Sequence, residues 1–359
     1  MMNNALGKKE NFNAVDIAKF ILAFGVVSIH TFYNFVDNPV INSFFDSVLI
    51  RLSVPFFFVC SGFFFFRDIV FENGRIKKCP ENRAKLCSFL KRMVILYCIW
   101  TAIYMVWNTY VGVFEYGYGL VELIKGYILD FFLCGVSDHF WYILFMIYSV
   151  ILLYISLRFI RIEIVGSIVA VLLLFFFYGY TYIVFFSIGS FSLFKSAFFV
   201  IDLDFIGTSF RLYFIYLALG LLLVGLLCLR LRDKISLRVS GLVALISLCL
   251  SVAENAIMRA LSDRTYSYTI FLVPTVMFGF IFLSKLSLNG NPKIFAFFRK
   301  SSTIIYCSHL IVKRVFNYFT DERYNGTLTI FLVVCAVSIA LSLVIVLLSG
   351  KIKFFRKLY

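Results

Sequence analysis

Ten apolar runs, each about 17 to 25 residues long, succeed one another along this 359-residue chain. They fall near 14–35, 48–66, 90–112, 139–157, 163–181, 208–229, 236–254, 268–284, 301–318 and 327–348. In hydrocarbon a backbone N–H or C=O finds no water, so a run of this length closes its hydrogen bonds within itself as a helix. The expected fold class is all-α: a polytopic membrane helical bundle of about ten transmembrane helices, in one domain over 1–359. Composition supports this, with 62% hydrophobic and only 15% charged residues. The segment 120–134 is apolar but short and interrupted, and reads as interfacial or re-entrant. The run from Val15 to Phe35 is too long for a signal-peptide core and lacks a small-residue cleavage site, so a retained first helix is expected.

A formal charge of +15 would suit nucleic acid on a soluble domain. Here the basic residues sit in short clusters between apolar runs, so membrane lipid and not nucleic acid is the expected partner. With a cytoplasmic N-terminus and ten spans, the inner segments hold 24 of the 34 Lys and Arg, eight of them between Arg67 and Arg92. The outer loops then carry Asp37, Asp46, Glu115, Glu122, Asp130, Asp138, Asp202, Asp204, Asp263, Asp321 and Glu322. Both termini are expected in the cytoplasm, and the protein in a bacterial cytoplasmic (inner) membrane. The nine cysteines form no Cys-x-x-Cys pair and no Cys/His metal spacing, so no metal is expected, and those within apolar runs read as packing residues.

An ionisable side chain inside a spanning helix is costly unless it meets a partner or a cavity. The first run holds Asp16, Lys19 and His30. Lys19 and His30 are eleven positions apart, which returns them to within about 20° of one helix face and about 16 Å apart along the axis. The chain has only three histidines. His30, His139 and His309 all fall in the outer half of the predicted topology and are candidates for one cavity, where imidazole would serve as a general base. The alternatives are an aromatic-belt anchor for His139, beside Trp141 and Tyr142, and an interhelical hydrogen bond for His309. Arg51 opens the second run, whose Pro55 and Gly62 predict a bent or tightly packed helix. Arg51 either borders a site for a polar ligand or snorkels to the headgroups; Glu254, Arg259, Lys313 and Arg314 are expected to snorkel.

Four stretches resemble one known family: Asp16-x2-Lys19-x10-His30, then Arg51-x2-Val54-Pro55-Phe56-Phe57-Phe58-x2-Ser61-Gly62, then His139-Phe140-Trp141-Tyr142, and Ser302-x3-Tyr306-x2-His309. The chain is similar to the acyltransferase-3 membrane proteins, which O-acylate cell-surface glycans and some small molecules. The resemblance implies transfer of an acyl group, usually acetyl, from acetyl-CoA or another acyl-CoA at the cytoplasmic face to a glycan or small-molecule hydroxyl outside. It implies His30 as the catalytic base with Lys19 and Asp16 beside it. Arg51, Ser61, His139, Trp141 and His309 are the candidate substrate-binding residues, with Arg51 or Ser61 as oxyanion donor. Lys91 and Arg92 are candidates for the CoA head, although the family's Arg-x3-Arg pattern is broken by Ile95 and Leu96. A homodimer stays open. Ile17-Ala18-Lys19-Phe20 and Val54 to Phe63 also look similar to the membrane part of serine racemases of glycopeptide resistance. The alternative function is therefore a transporter of a serine-like amino acid or a glycan building block.

Overall fold

A computed structural model describes residues 11–32, 39–177, 201–203, 208–210, 212–261 and 269–359. The described residues are mostly helical. The elements are α1 (Asn13–Thr31), α2 (Pro39–Phe45) running through a π-helical turn (Asp46–Ile50) into α3 (Arg51–Phe66), α4 (Pro80–Phe114) and α5 (Leu120–Leu133). They continue with α6 (Trp141–Phe159), α7 (Ile162–Phe177), α8 (Leu212–Leu231), α9 (Leu237–Leu261), α10 (Leu272–Lys285), α11 (Pro292–Phe319) and α12 (Leu328–Ser349). Each expected apolar run overlaps a helix. Among the described residues six helices are long and apolar enough to cross a membrane: Asn13–Thr31, Ile41–Phe66, Pro80–Phe114, Trp141–Phe159, Leu237–Met258 and Leu328–Ser349. Ile162–Leu174, Ile215–Leu231 and Leu272–Lys285 are apolar but shorter.

The boundaries differ where turn chemistry overrides hydropathy. The run expected from residue 208 begins as a strand, Thr208–Phe210, paired antiparallel with Ile201–Leu203. The run expected at 90–112 lies inside a helix that starts at Pro80, where proline suits the first helical turn because its missing N–H has no intrahelical partner there. At 35 residues α4 is about 52 Å long, so its basic first turns project beyond a hydrocarbon core of about 30 Å. Before it, Phe71–Glu72 and Arg75–Ile76 form a hairpin whose turn, Asn73-Gly74, has positive φ at both residues. Buried Asn82 ties that hairpin to α4: it accepts from Val70 N (2.8 Å) and donates to Val70 O and Lys77 O (both 2.9 Å). The ends of the runs at 33–35 and 178–181 lie outside the described residues.

α3 is the packing centre. A Cβ on Gly62 would meet the Leu222 carbonyl carbon of α8 at 2.9 Å, so only glycine lets the two backbones approach this closely. Phe63 packs on Phe280 of α10, ring centroids 4.8 Å apart.

The basic clusters meet at one end of the bundle. Arg67 and Arg232 lie over the Phe12 ring at 5.5 and 5.4 Å, Arg158 donates to Ile76 O (2.8 Å) and Lys285 to Ile235 O (2.5 Å). Asp68, Glu72, Glu163 and Asp233 pair with cations at that end, while Glu115, Asp321 and Glu322 lie together at the other. Glu115 accepts from Tyr318 (3.1 Å), and Glu254 does not snorkel but accepts from Ile270 N (2.9 Å), ahead of α10. The Arg259 side chain lies outside the described residues. α5 has no buried residue and is held to α4 by Tyr97 Oη donating to Phe131 O (2.7 Å).

Candidate functional site

α1 carries Lys19 and His30, α11 carries Tyr306 and His309, and the turn before α6 carries His139. Packing of these elements brings the three histidines together. Ring centroids are 5.3 Å apart for His30 and His309, 4.9 Å for His139 and His309, and 6.5 Å for His30 and His139. His309 is 0% and His139 2% exposed. An aromatic-belt residue would face the headgroups, so that alternative for His139 is overturned: the turn at Ser137–Phe140 folds its ring inward against Tyr104 and Tyr306 (both 5.3 Å).

Backbone carbonyls determine the tautomers, because a carbonyl only accepts. His309 Nδ1 faces Tyr306 O at 2.7 Å and Ile305 O at 3.2 Å, so Nδ1 carries the hydrogen and Nε2 is a bare acceptor. Its partners are on its own helix, so the interhelical bond expected as an alternative does not form. His139 Nε2 faces Cys307 O at 3.3 Å, which leaves Nδ1 bare. Both bare nitrogens are buried and have no partner among the described residues. An unmet buried acceptor costs about 1–3 kcal/mol, so two of them on rings 4.9 Å apart do not suit a packing role.

The surroundings hold the cluster in place. Tyr104 Oη donates to Cys307 O (3.0 Å) and accepts from Ile311 N (2.8 Å), two groups that pair with each other in an uninterrupted helix. Lys313 donates to the His30 carbonyl at 2.7 Å, one of the orphan carbonyls in the last turn of α1. Arg314 donates to Asn108 Oδ1 (2.7 Å) and lies 5.6 Å from the Tyr104 ring centre. These two cations therefore hold the site instead of snorkelling.

A cavity of ≈260 Å³ lies on the Lys19 side, lined among others by Lys19, Ser61, Arg92, Tyr142, Ser302 and Tyr306. Tyr306 separates it from the histidines. It lines the cavity, its hydroxyl donates to the His139 carbonyl, and its ring lies 5.3 Å from Tyr142 and 6.3 Å from His309.

The other predicted residues divide. Ser61, Lys19 and Arg92 join the cavity; Lys91 is exposed and not on its wall. Asp16 is 6% exposed and bonded to Arg299 (3.0 Å), so it does not link Lys19 to His30. Among the described residues no carboxylate lies within ion-pair distance of Lys19. Arg51 is outside the site: it pairs with Asp46 (3.0 Å), which also accepts from Asn255 (2.8 Å). Trp141 packs on Phe58 (6.1 Å) and is not on the cavity wall. Tyr306 was readable in sequence, since Ser302, Tyr306 and His309 recur at one-face helical spacing. Tyr104 was not, because one tyrosine in an apolar run has no spacing signal and its partner is 203 positions away.

Residues 12–347 match the acyltransferase-3 family, described as an acyltransferase domain. Among similar proteins are two amino-acid racemases of Enterococcus faecalis. One is 31% identical over 136 residues, 38% of this chain and 17% of the racemase. The other is 26% identical over 152 residues, 42% of this chain and 20% of the racemase. The chain thus spans a fifth or less of the length of those relatives. No solved structure matches it. Since the match runs through α1, which carries His30, to near the end of α12, the chain belongs to the acyltransferase-3 family of membrane acyltransferases.

Proposed function

We propose that this protein is a membrane O-acyltransferase that moves an acetyl group from acetyl-CoA, entering from the basic end, to a hydroxyl of a glycan at the acidic end. The observation that carries this reading is the juxtaposition of a cation-lined cavity with a cluster of three imidazoles, Tyr306 between them. In the proposed step a bare nitrogen of His30 takes the acceptor's hydroxyl proton as its oxygen attacks the thioester carbonyl. The C–O bond forms, the C–S bond breaks, and the proton passes to the departing thiolate, so CoA leaves as the thiol. Lys19 and Arg92 suit the phosphates of the donor, and Ser61 is the candidate donor for the developing oxyanion. The same reading takes all ten helices as spans with both termini in the cytoplasm; it is supported by the gathering of Phe12, Arg67, Arg158, Arg232 and Lys285 at one end.

His30→Ala is expected to lower acetyl transfer by at least about 100-fold, as loss of a general base does, while the protein still elutes as a folded species. Normal acetylation by that variant would sink the reading. A transporter of a serine-like amino acid or glycan building block is the second reading. Two cavities approaching from opposite ends and parted by aromatic rings favour it. Uptake of labelled serine into liposomes without CoA release from acetyl-CoA would select it.

A further inference from the structure

The step above makes no use of a cavity of ≈940 Å³ on the acidic side, between α4, α5 and the end of α11. Its wall combines ring faces with acceptors: Trp107, Tyr118 and Tyr318 stand beside Glu115, Asp321 and Glu322. Trp107 and Tyr318 meet edge to face at 5.6 Å, and Tyr118 is 49% exposed, so ring faces are open to a ligand. Asn317, on the same wall, is only 8% exposed, yet its Oδ1 has no partner among the described residues. Asp321 and Glu322 both have positive φ, 48° and 56°, a conformation that L residues adopt at a cost and that this turn holds where both line the cavity.

We propose that this cavity is the acceptor's vestibule and that it selects a saccharide free of anionic groups. The proposal rests on the acyl-transfer reading and adds where the acceptor sits and which charge it bears. Aromatic faces stack on the apolar face of a sugar ring, and amide and carboxylate oxygens accept from its hydroxyls. Three carboxylates line this wall against one guanidinium, that of Arg314, already engaged by Asn108, and with the Lys313 ammonium near Glu322 the balance is still acidic. A phosphate or uronate entering here meets net repulsion in a partly desolvated space, whereas a neutral or amine-bearing sugar does not. The volume exceeds what one amino acid fills and is at the upper end for small-molecule sites, which points to several rings. Arg314, bonded to Asn108 on this wall, lies over the Tyr104 ring, which in turn packs against His139, so one chain of side chains links the cavity to the imidazoles.

The test is titration calorimetry of the full chain in detergent with three tetrasaccharides. These are β-1,4-linked N-acetylglucosamine (neutral), β-1,4-linked glucosamine (cationic) and α-1,4-linked galacturonate (anionic). The neutral and cationic tetramers are expected to bind, the anionic one at least about tenfold more weakly, with high salt narrowing the gap. Glu115→Gln with Asp321→Asn and Glu322→Gln should remove the discrimination, and Trp107→Ala should weaken all binding. Failure of the neutral and cationic tetramers to bind, or equal binding of the galacturonate, would overturn the vestibule, even with acetyl-CoA turned over normally. Binding as expected with no acetyl-CoA turnover would uphold the vestibule and overturn the acyl-transfer reading.

Discussion

An arginine at the outer edge of an apolar run reads equally well as a ligand contact or as a headgroup anchor. In the structure Arg51 pairs with Asp46, whose side chain is 4% exposed and also accepts from Asn255 of α9. Removing one partner of a buried pair strands the other, so Asp46→Ala should destabilise the protein by about 3 kcal/mol. Thermal unfolding in detergent checks this, and Asp46→Ala with Arg51→Met should recover part of the loss. At the basic end, burial pushes the Asp68 pKa up, but the hydrogen bond and charge of Lys85, with Arg67, outweigh it, so the net shift is down. A folded pKa below the unfolded 3.8 adds stability above that pH and loses it as pH falls through the folded value. Unfolding temperature measured down to pH 3 should therefore fall less steeply for Asp68→Asn than for the parent. The placement of His30 and Lys19 on one helix was legible because it is local, eleven positions within one apolar run. The inward turn of His139 was not, since beside Trp141 and Tyr142 it carries the same signal as an interfacial anchor.

Among elements, α3 shows how far hydropathy reaches. Pro55 and Gly62 mark it as a helix that bends or packs closely, and the structure gives it a π-helical turn before it and backbone contact with α8. Gly62→Ala should force α3 and α8 apart and cost about 1–3 kcal/mol, seen as a lower unfolding temperature with the helix content of the folded protein unchanged. Helix existence was readable throughout, whereas boundaries were not: Pro80 starts α4 ten residues before its apolar run, because capping and hairpin chemistry, not hydropathy, set that end. The strand at 208–210 sat in an apolar run where a β-branched residue and Phe carry no helical or strand period of their own.

For the whole molecule, the proposed orientation makes a labelling prediction. In a cysteine-free background, Arg75→Cys, Lys234→Cys and Lys351→Cys should react with an impermeant thiol reagent only from the cytoplasmic side, and Tyr116→Cys and Asp321→Cys only from outside. One inner position labelled from outside would break the ten-span order. The sequence by itself determined a helical membrane bundle, the grouping of its basic loops and the pairing of Lys19 with His30 on one face, because length, charge and helical period are local properties of a chain. Only the tertiary structure decided that three histidines from distant segments share one site, that Tyr306 divides it from the Lys19 cavity, and that Arg51 belongs elsewhere. Those are matters of which helix faces meet, and in a chain apolar on nearly every face the packing of particular side chains, not a hydrophobic period, makes that choice.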